Sequence, residues 1–232
     1  MARFIAGTTI RIQPLTSWTE TGTLRTLRKL ERDAVVIALD PKDAAAHNIP
    51  ADNPNLHLLY NNFPVRDIQR GALSFDPSVL PFMSQRMLIV ISELEPENYS
   101  FYQRRLAEFQ SRLESTLEVG RSLIKDAKLL DLTGSVGPWI HAATANTVRP
   151  PDDRWGAWMG GTRINELKLA TSEAKRRGWW IVLDAWTPAP VRREVMGLHK
   201  NIFIKQPDRP DYDFFTYLHD IYLEIWNTAV RK

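Results

Sequence analysis

Short, unbroken apolar runs recur along the chain: "AVVIAL" at Ala34–Leu39, "MLIVI" at Met87–Ile91 and "WWIVL" at Trp179–Leu183. They are rich in β-branched residues and separated by stretches long enough for helices. Strands of that composition are buried on both faces, as in parallel sheets covered by helices. Leu56–Tyr60, Lys128–Leu132, Trp139–Ala143 and Asn201–Ile204 repeat the pattern more loosely, and Phe4–Ile12 reads as a first strand. The sequence therefore predicts an α/β fold with a mostly parallel central sheet and helices on both faces. The three strongest runs are expected to be adjacent or near-adjacent parallel strands at its centre. An open doubly wound sheet is favoured. A compact (β/α) barrel comes second, because the candidate strands number about eight, the barrel's count.

The helices are read from periodicity. From Asn98 to Ala127, Tyr102, Leu106, Phe109, Leu113, Leu117 and Ile124 fall on one stripe, with charges elsewhere. Gly120 lies on the same stripe, where it marks a close helix approach or a weak point. Leu24, Leu27 and Leu30 suggest a helix over Thr23–Arg32, and Phe214–Val230 a final one. Ile49–Asn55, Pro64–Pro81 and Val148–Gly161 read as irregular, the last holding a proline pair, an acid pair and two tryptophans. A length of 232 residues suits a single α/β domain spanning 1–232.

Composition excludes several chemistries. There is no cysteine, hence no disulfide, thiolate metal site or cysteine nucleophile. The histidines form neither H-x-x-x-H nor H-E-x-x-H, so no metal site is expected, and no cofactor motif is present. A net charge of +3, from 30 basic and 27 acidic residues, gives no field suited to nucleic acid. No run approaches the ~20 apolar residues of a membrane span. These features predict a cytoplasmic protein with a small-molecule ligand, no nucleic acid or membrane partner, and room for homo-oligomers.

In parallel α/β folds ligands sit beyond the carboxyl ends of the strands. Thr133-Gly134-Ser135-Val136-Gly137 could present backbone N–H groups and hydroxyls to a phosphate there, although a strand-ending turn is the favoured reading. Trp139, His141, Asn146, Trp158 and Thr162 fall near the same edge and complete the expected ligand-binding set with Thr133 and Ser135. Carboxylates able to work as acid, base or nucleophile are Glu93, Asp184 and Glu166. Polar residues also end strands simply because turns need them.

The stretch Gly160–Pro190 adds one pointer. Gly161 and Thr162, then Glu166-Leu167 one turn into a helix, then an apolar strand, resemble the nucleoside deoxyribosyltransferases and TIR-domain NAD hydrolases. In those families a glutamate early in such a helix works on a ribosyl C1′ bond, so the resemblance implies Glu166 as a catalytic carboxylate. The sequence reading is thus an enzyme acting on a nucleoside, nucleotide or glycosyl substrate. Its rival is a non-catalytic partner-binding or assembly subunit, with Trp155 and Trp158 exposed at an interface.

Overall fold

A computed structural model describes residues 1–20, 22–31, 33–60, 73–198, 200–207 and 211–231. Eight strands and nine α-helices lie among the described residues. Four strands, β5 (Leu129–Asp131), β6 (Thr147–Val148), β7 (Trp180–Asp184) and β8 (Asn201–Ile204), form a parallel sheet in the order β6-β5-β7-β8. Two further strands, β3 (Val36–Ala38) and β4 (Leu56–Leu58), pair in parallel as a separate sheet. An antiparallel hairpin, β1 (Thr16–Trp18) with β2 (Leu24–Thr26), stands apart from both.

Alternation along β7 explains how the larger sheet is covered. Val182 joins a core cluster with Phe109, Ile124 and Tyr222, while Ile181 and Leu183 join Trp155, Trp158 and Leu167 on the other face. Helices α4 (Tyr99–Ile124) and α9 (Phe214–Ile225) pack on the first face. Helices α6 (Asp152–Met159), α7 (Ile164–Arg176) and α8 (Ala189–Val195) pack on the second. The architecture is therefore mixed α/β with a central parallel sheet covered on both faces.

Helix α4 has 26 residues, about 39 Å at 1.5 Å per residue. The expected stripe is its buried face: Tyr102, Leu106, Phe109 and Leu113 are buried, and Leu117 is partly so. Arg105 and Arg112 lay guanidinium groups over the Phe4 ring at 4.2 and 5.6 Å. Gly120 is a close approach, since a Cβ there would collide with the Tyr222 ring.

Several expected elements are different. Met87–Ile91 is not a central strand but part of helix α3 (Leu80–Leu94). Pro81 sits in its first turn, and Leu80, Met83, Met87, Leu88 and Ile91 are buried at helical spacing. The three apolar runs are consequently not neighbours in one sheet. Trp139–Ala143 is likewise helical, with Pro138 starting α5 (Gly137–His141). Phe4–Ile12 opens as α1 (Ala2–Ala6), which stops at Gly7 with φ 62°. Phe4 is drawn in by edge contacts to Phe109 and Phe215 at 5.7 and 5.5 Å. The leucines at 24, 27 and 30 do not make a helix, because Gly22 at φ 82° turns the hairpin and Leu27 N–H donates to Leu15. Within Val148–Gly161, expected as loop, α6 forms with Asp152 and Asp153 in its first turn; its tryptophans are three residues apart on one buried face. The part of Pro64–Pro81 up to residue 72 lies outside the described residues.

Helix α2 (Pro41–Ala46) shows how local chemistry fixes the ends. Asp40 accepts from the backbone N–H of Lys42 and Asp43 at 2.8 and 2.9 Å, and Pro41 fills the first helical position.

Candidate functional site

The strand order has a consequence for where a ligand could sit. From β5 the chain crosses outward to β6 and then back past β5 to β7, so the crevice between the carboxyl ends of β5 and β7 is the topological switch point. Asp131 and Asp184 end those two strands. Gly134–Val136 follows Asp131, and its backbone N–H groups do converge on an anion. That anion is the side chain of Asp184. Its Oδ1 accepts from Gly134 and Trp186 N–H at 2.8 and 3.1 Å, and its Oδ2 from Ser135 and Val136 N–H at 2.8 and 3.1 Å. The Thr187 hydroxyl lies 3.0 Å from Oδ1. Asp184 is 0 % exposed. Burial pushes its carboxyl above the usual range, and the backbone N–H bonds pull against that.

Asp131 is equally enclosed. Thr133 donates to Oδ1 through its N–H at 2.8 Å and its hydroxyl at 2.6 Å. On Oδ2, Arg149 Nη1 stands at 2.9 Å and His141 Nε2 at 3.2 Å. Burial alone would raise this carboxyl, but His141, the Arg149 charge and Thr133 together hold it below its usual value. Gly137 is needed beside it, because a Cβ would run into Oδ2 of Asp131. Arg149 also covers the Trp155 ring at 4.9 Å.

The remaining sequence-predicted residues scatter. Glu166 is on the surface at the start of α7, held by Arg163, whose Nε and Nη2 donate to its two oxygens at 2.7 and 2.8 Å. Glu93 is exposed on α3 with His57 at 3.9 Å. Neither of them shares a hydrogen bond or ion pair with Asp184. Trp139 is a core residue: its indole N–H donates to Leu218 O at 3.1 Å, and its ring stacks on Tyr222 at 5.4 Å. Trp158 and Trp155 are each 2 % exposed, so they form no exposed interface. Asn146 ties its amide to Lys125 O, and Thr162 its hydroxyl to Ala157 O, both at the surface. Thus Thr133, Ser135, His141 and Asp184 come together at the switch point; Glu166, Glu93, Asn146, Trp158 and Thr162 do not join them.

Sequence reasoning missed a further concavity among the described residues. A cleft of about 260 Å³ opens between hairpin strand β1, the segment after β8 and helix α9. Trp18, Phe75, Gln206, Tyr212, Phe214 and Tyr217 wall it. Trp186, two residues past β7, touches both Trp18 and Phe75, with ring centroids 5.9 and 5.6 Å apart. Among the described residues, no three His, Asp or Glu side chains come close enough to hold a metal ion. No described helix is long and apolar enough to cross a membrane.

No family model and no curated protein matches the chain. Solved structures do. ZnuA is similar over 97 % of this chain and 93 % of its own, at a TM-score of 0.67 and 13 % identity. A zinc-bound ZnuA lacking residues 138–173 matches over 99 % and 94 % of the two chains, at 0.65 and 12 %. A periplasmic metal-binding protein from Candidatus Liberibacter asiaticus matches over 98 % and 94 %, at 0.63 and 9 %. At such identities the likeness is one of fold.

These findings correct the expected function. The fold is shared with proteins described as metal-binding, and of the carboxylates chosen as catalytic Asp184 is enclosed, Glu166 is ion-paired and Glu93 stands exposed beside His57. The expected small organic ligand loses its support for the same reason, since those structures are described by the metals they bind. The cytoplasmic assignment also gives way, because the solved relatives in fold include proteins described as periplasmic.

Proposed function

We propose that the chain is a non-catalytic binding protein with the architecture of the periplasmic metal-binding proteins, working outside the cytoplasm. One observation carries this: a fold likeness over nearly the whole chain accompanies a switch-point crevice already filled by the protein's own aspartate. An enzyme of the kind first expected needs a carboxylate that reaches substrate. Asp184 and Asp131 are fully buried, and Glu166 is neutralised at the surface by Arg163. We read residues 1–232 as one domain, supported by a core cluster that joins Leu59 and Tyr60, beside β4, to Val182 and Ile202 in the larger sheet. In this reading two parallel sheets take the place of the single open doubly wound sheet.

The test pairs activity with location. The purified chain, offered nucleosides, nucleotides and aryl glycosides, is expected to release no product above the rate without protein. A tagged chain expressed in its own cells should fractionate with periplasmic markers. Turnover that Glu166→Gln abolishes would overturn the reading.

A further inference from the structure

The metal ions named for the structural relatives set a chemical requirement. Zinc, manganese or cadmium held tightly needs three or more nitrogen, oxygen or sulfur donors converging on one point. This chain has no cysteine, and its described histidines and carboxylates assemble only in pairs. In the Asp131–His141 pair the carboxylate already accepts four donors, and the Arg149 guanidinium at 2.9 Å supplies the positive charge an ion would bring. A divalent cation there would meet that charge at close range. The His57–Glu93 pair is a surface contact, with Glu93 60 % exposed, and the His47–Asp43 pair, at 3.7 Å one helical turn apart, has no third donor of this kind among the described residues.

The cleft between the hairpin and α9 offers no substitute. Among the described residues its wall contains no histidine or carboxylate. Phe75 packs on Trp186, Phe214 and Tyr217 at 5.6, 6.5 and 5.9 Å, making the floor a set of rings. Burial drives the Tyr217 phenol far above its usual range, so it stays neutral, and it accepts from Gln206 Nε2 at 2.7 Å. The turn at Gly22 presses on the backbone just past β7, where a Cβ would collide with the Ala185 carbonyl oxygen. The hairpin therefore sits over the carboxyl end of β7, and aromatic contacts hold it there.

We propose that this chain carries the scaffold of the metal-binding proteins without a chelating centre: the aromatic zone joining Trp18, Phe75 and Trp186 stands at the mouth of the sheet, and no divalent cation is taken up. The inference rests on the binding-protein reading above. Asp67, His199 and Asp208 lie outside the described residues, and a measurement on the whole chain includes them.

Untagged full-length protein is stripped with EDTA and dialysed against micromolar Zn²⁺, Mn²⁺ or Cd²⁺. Bound metal is counted by elemental analysis, and melting is followed with and without each ion. The expected result is metal at the level of the protein-free control and an unmoved Tm. A native-state ligand well above its Kd would raise Tm measurably. One ion per chain, with a micromolar or tighter Kd, would overturn the inference while leaving the non-catalytic reading intact. Turnover in the activity assay would do the reverse.

Discussion

Replacing Asp184 by asparagine tests the account of the switch point directly. Each carboxylate oxygen accepts two backbone N–H groups: Gly134 and Trp186 on Oδ1, Ser135 and Val136 on Oδ2. An asparagine amide has one oxygen, so either orientation turns an NH₂ group toward two backbone donors. Ser135 and Val136 are buried with the side chain, and Gly134 and Trp186 are partly so. Leaving a buried donor unsatisfied costs about 1–3 kcal/mol, so two give about 2–6 kcal/mol. Removing a buried charge returns part of the desolvation cost, which places the expected net loss at about 2–4 kcal/mol. Urea denaturation reads this as a lower midpoint with an unchanged slope. A loss below about 1 kcal/mol would mean that the loop is not held by Asp184. The internal-anion argument would then fail.

Three further outcomes follow from packing and charge. Gly120→Ala should destabilise by about 1–2 kcal/mol, because the added methyl enters the Tyr222 ring; at an exposed helical glycine the same change would stabilise. Phe109→Ala should cost about 3–5 kcal/mol, since the ring is 0 % exposed between Phe4, Phe214 and Phe215; a calorimetric loss under 1 kcal/mol would show a misplaced helix. Asp131, with its folded pKa lowered, contributes stability that is present above the ordinary carboxylate range and is lost as pH falls through the depressed value. Asp184, with its folded pKa raised, acts with the opposite sign, its contribution declining as pH rises through the raised value. Melting temperature against pH should therefore show a shallower acid limb in Asp131→Asn than in the parent, and parallel limbs would refute the assignment.

The fold was legible where one physical signal dominated. Helix α4 declares itself because six stripe positions recur over seven turns, too many for another period. Trp179–Leu183 declares itself as a short apolar run between Gly178 and Asp184, and Asn201–Ile204 as a short run rich in isoleucine. Met87–Ile91 has the same local composition, and a five-residue window cannot separate a buried strand from the buried side of a helix. What decides it lies outside the window: Pro81 at the first turn and Leu80 and Met83 continuing the helical spacing. The Trp155–Trp158 interval carried a similar signal, hidden by the prolines and glycines on either side.

The site was harder because its chemistry is made by pairing across the sheet. The loop Gly134–Val136 could be read as a phosphate cradle or, as favoured, a strand-ending turn, and Asp184 does end a strand. Nothing local shows that these belong to each other, since Ser135 and Asp184 are 49 residues apart and meet only because β5 and β7 are neighbours. Once that adjacency is known, the two readings cancel. A donor loop at a switch point suggests a phosphate, and an aspartate at a strand end suggests a catalytic acid; brought within 2.8 Å they are donor and acceptor to each other. The crevice that many α/β proteins leave for a ligand is thereby closed from inside. Further out, where the hairpin, Phe75 and α9 meet, lies the aromatic cleft. Its described wall residues Trp18, Phe75, Gln206, Tyr212, Phe214 and Tyr217 carry hydroxyl and amide groups and no ionised side chain, so what they offer a ligand is ring contact and neutral hydrogen bonds.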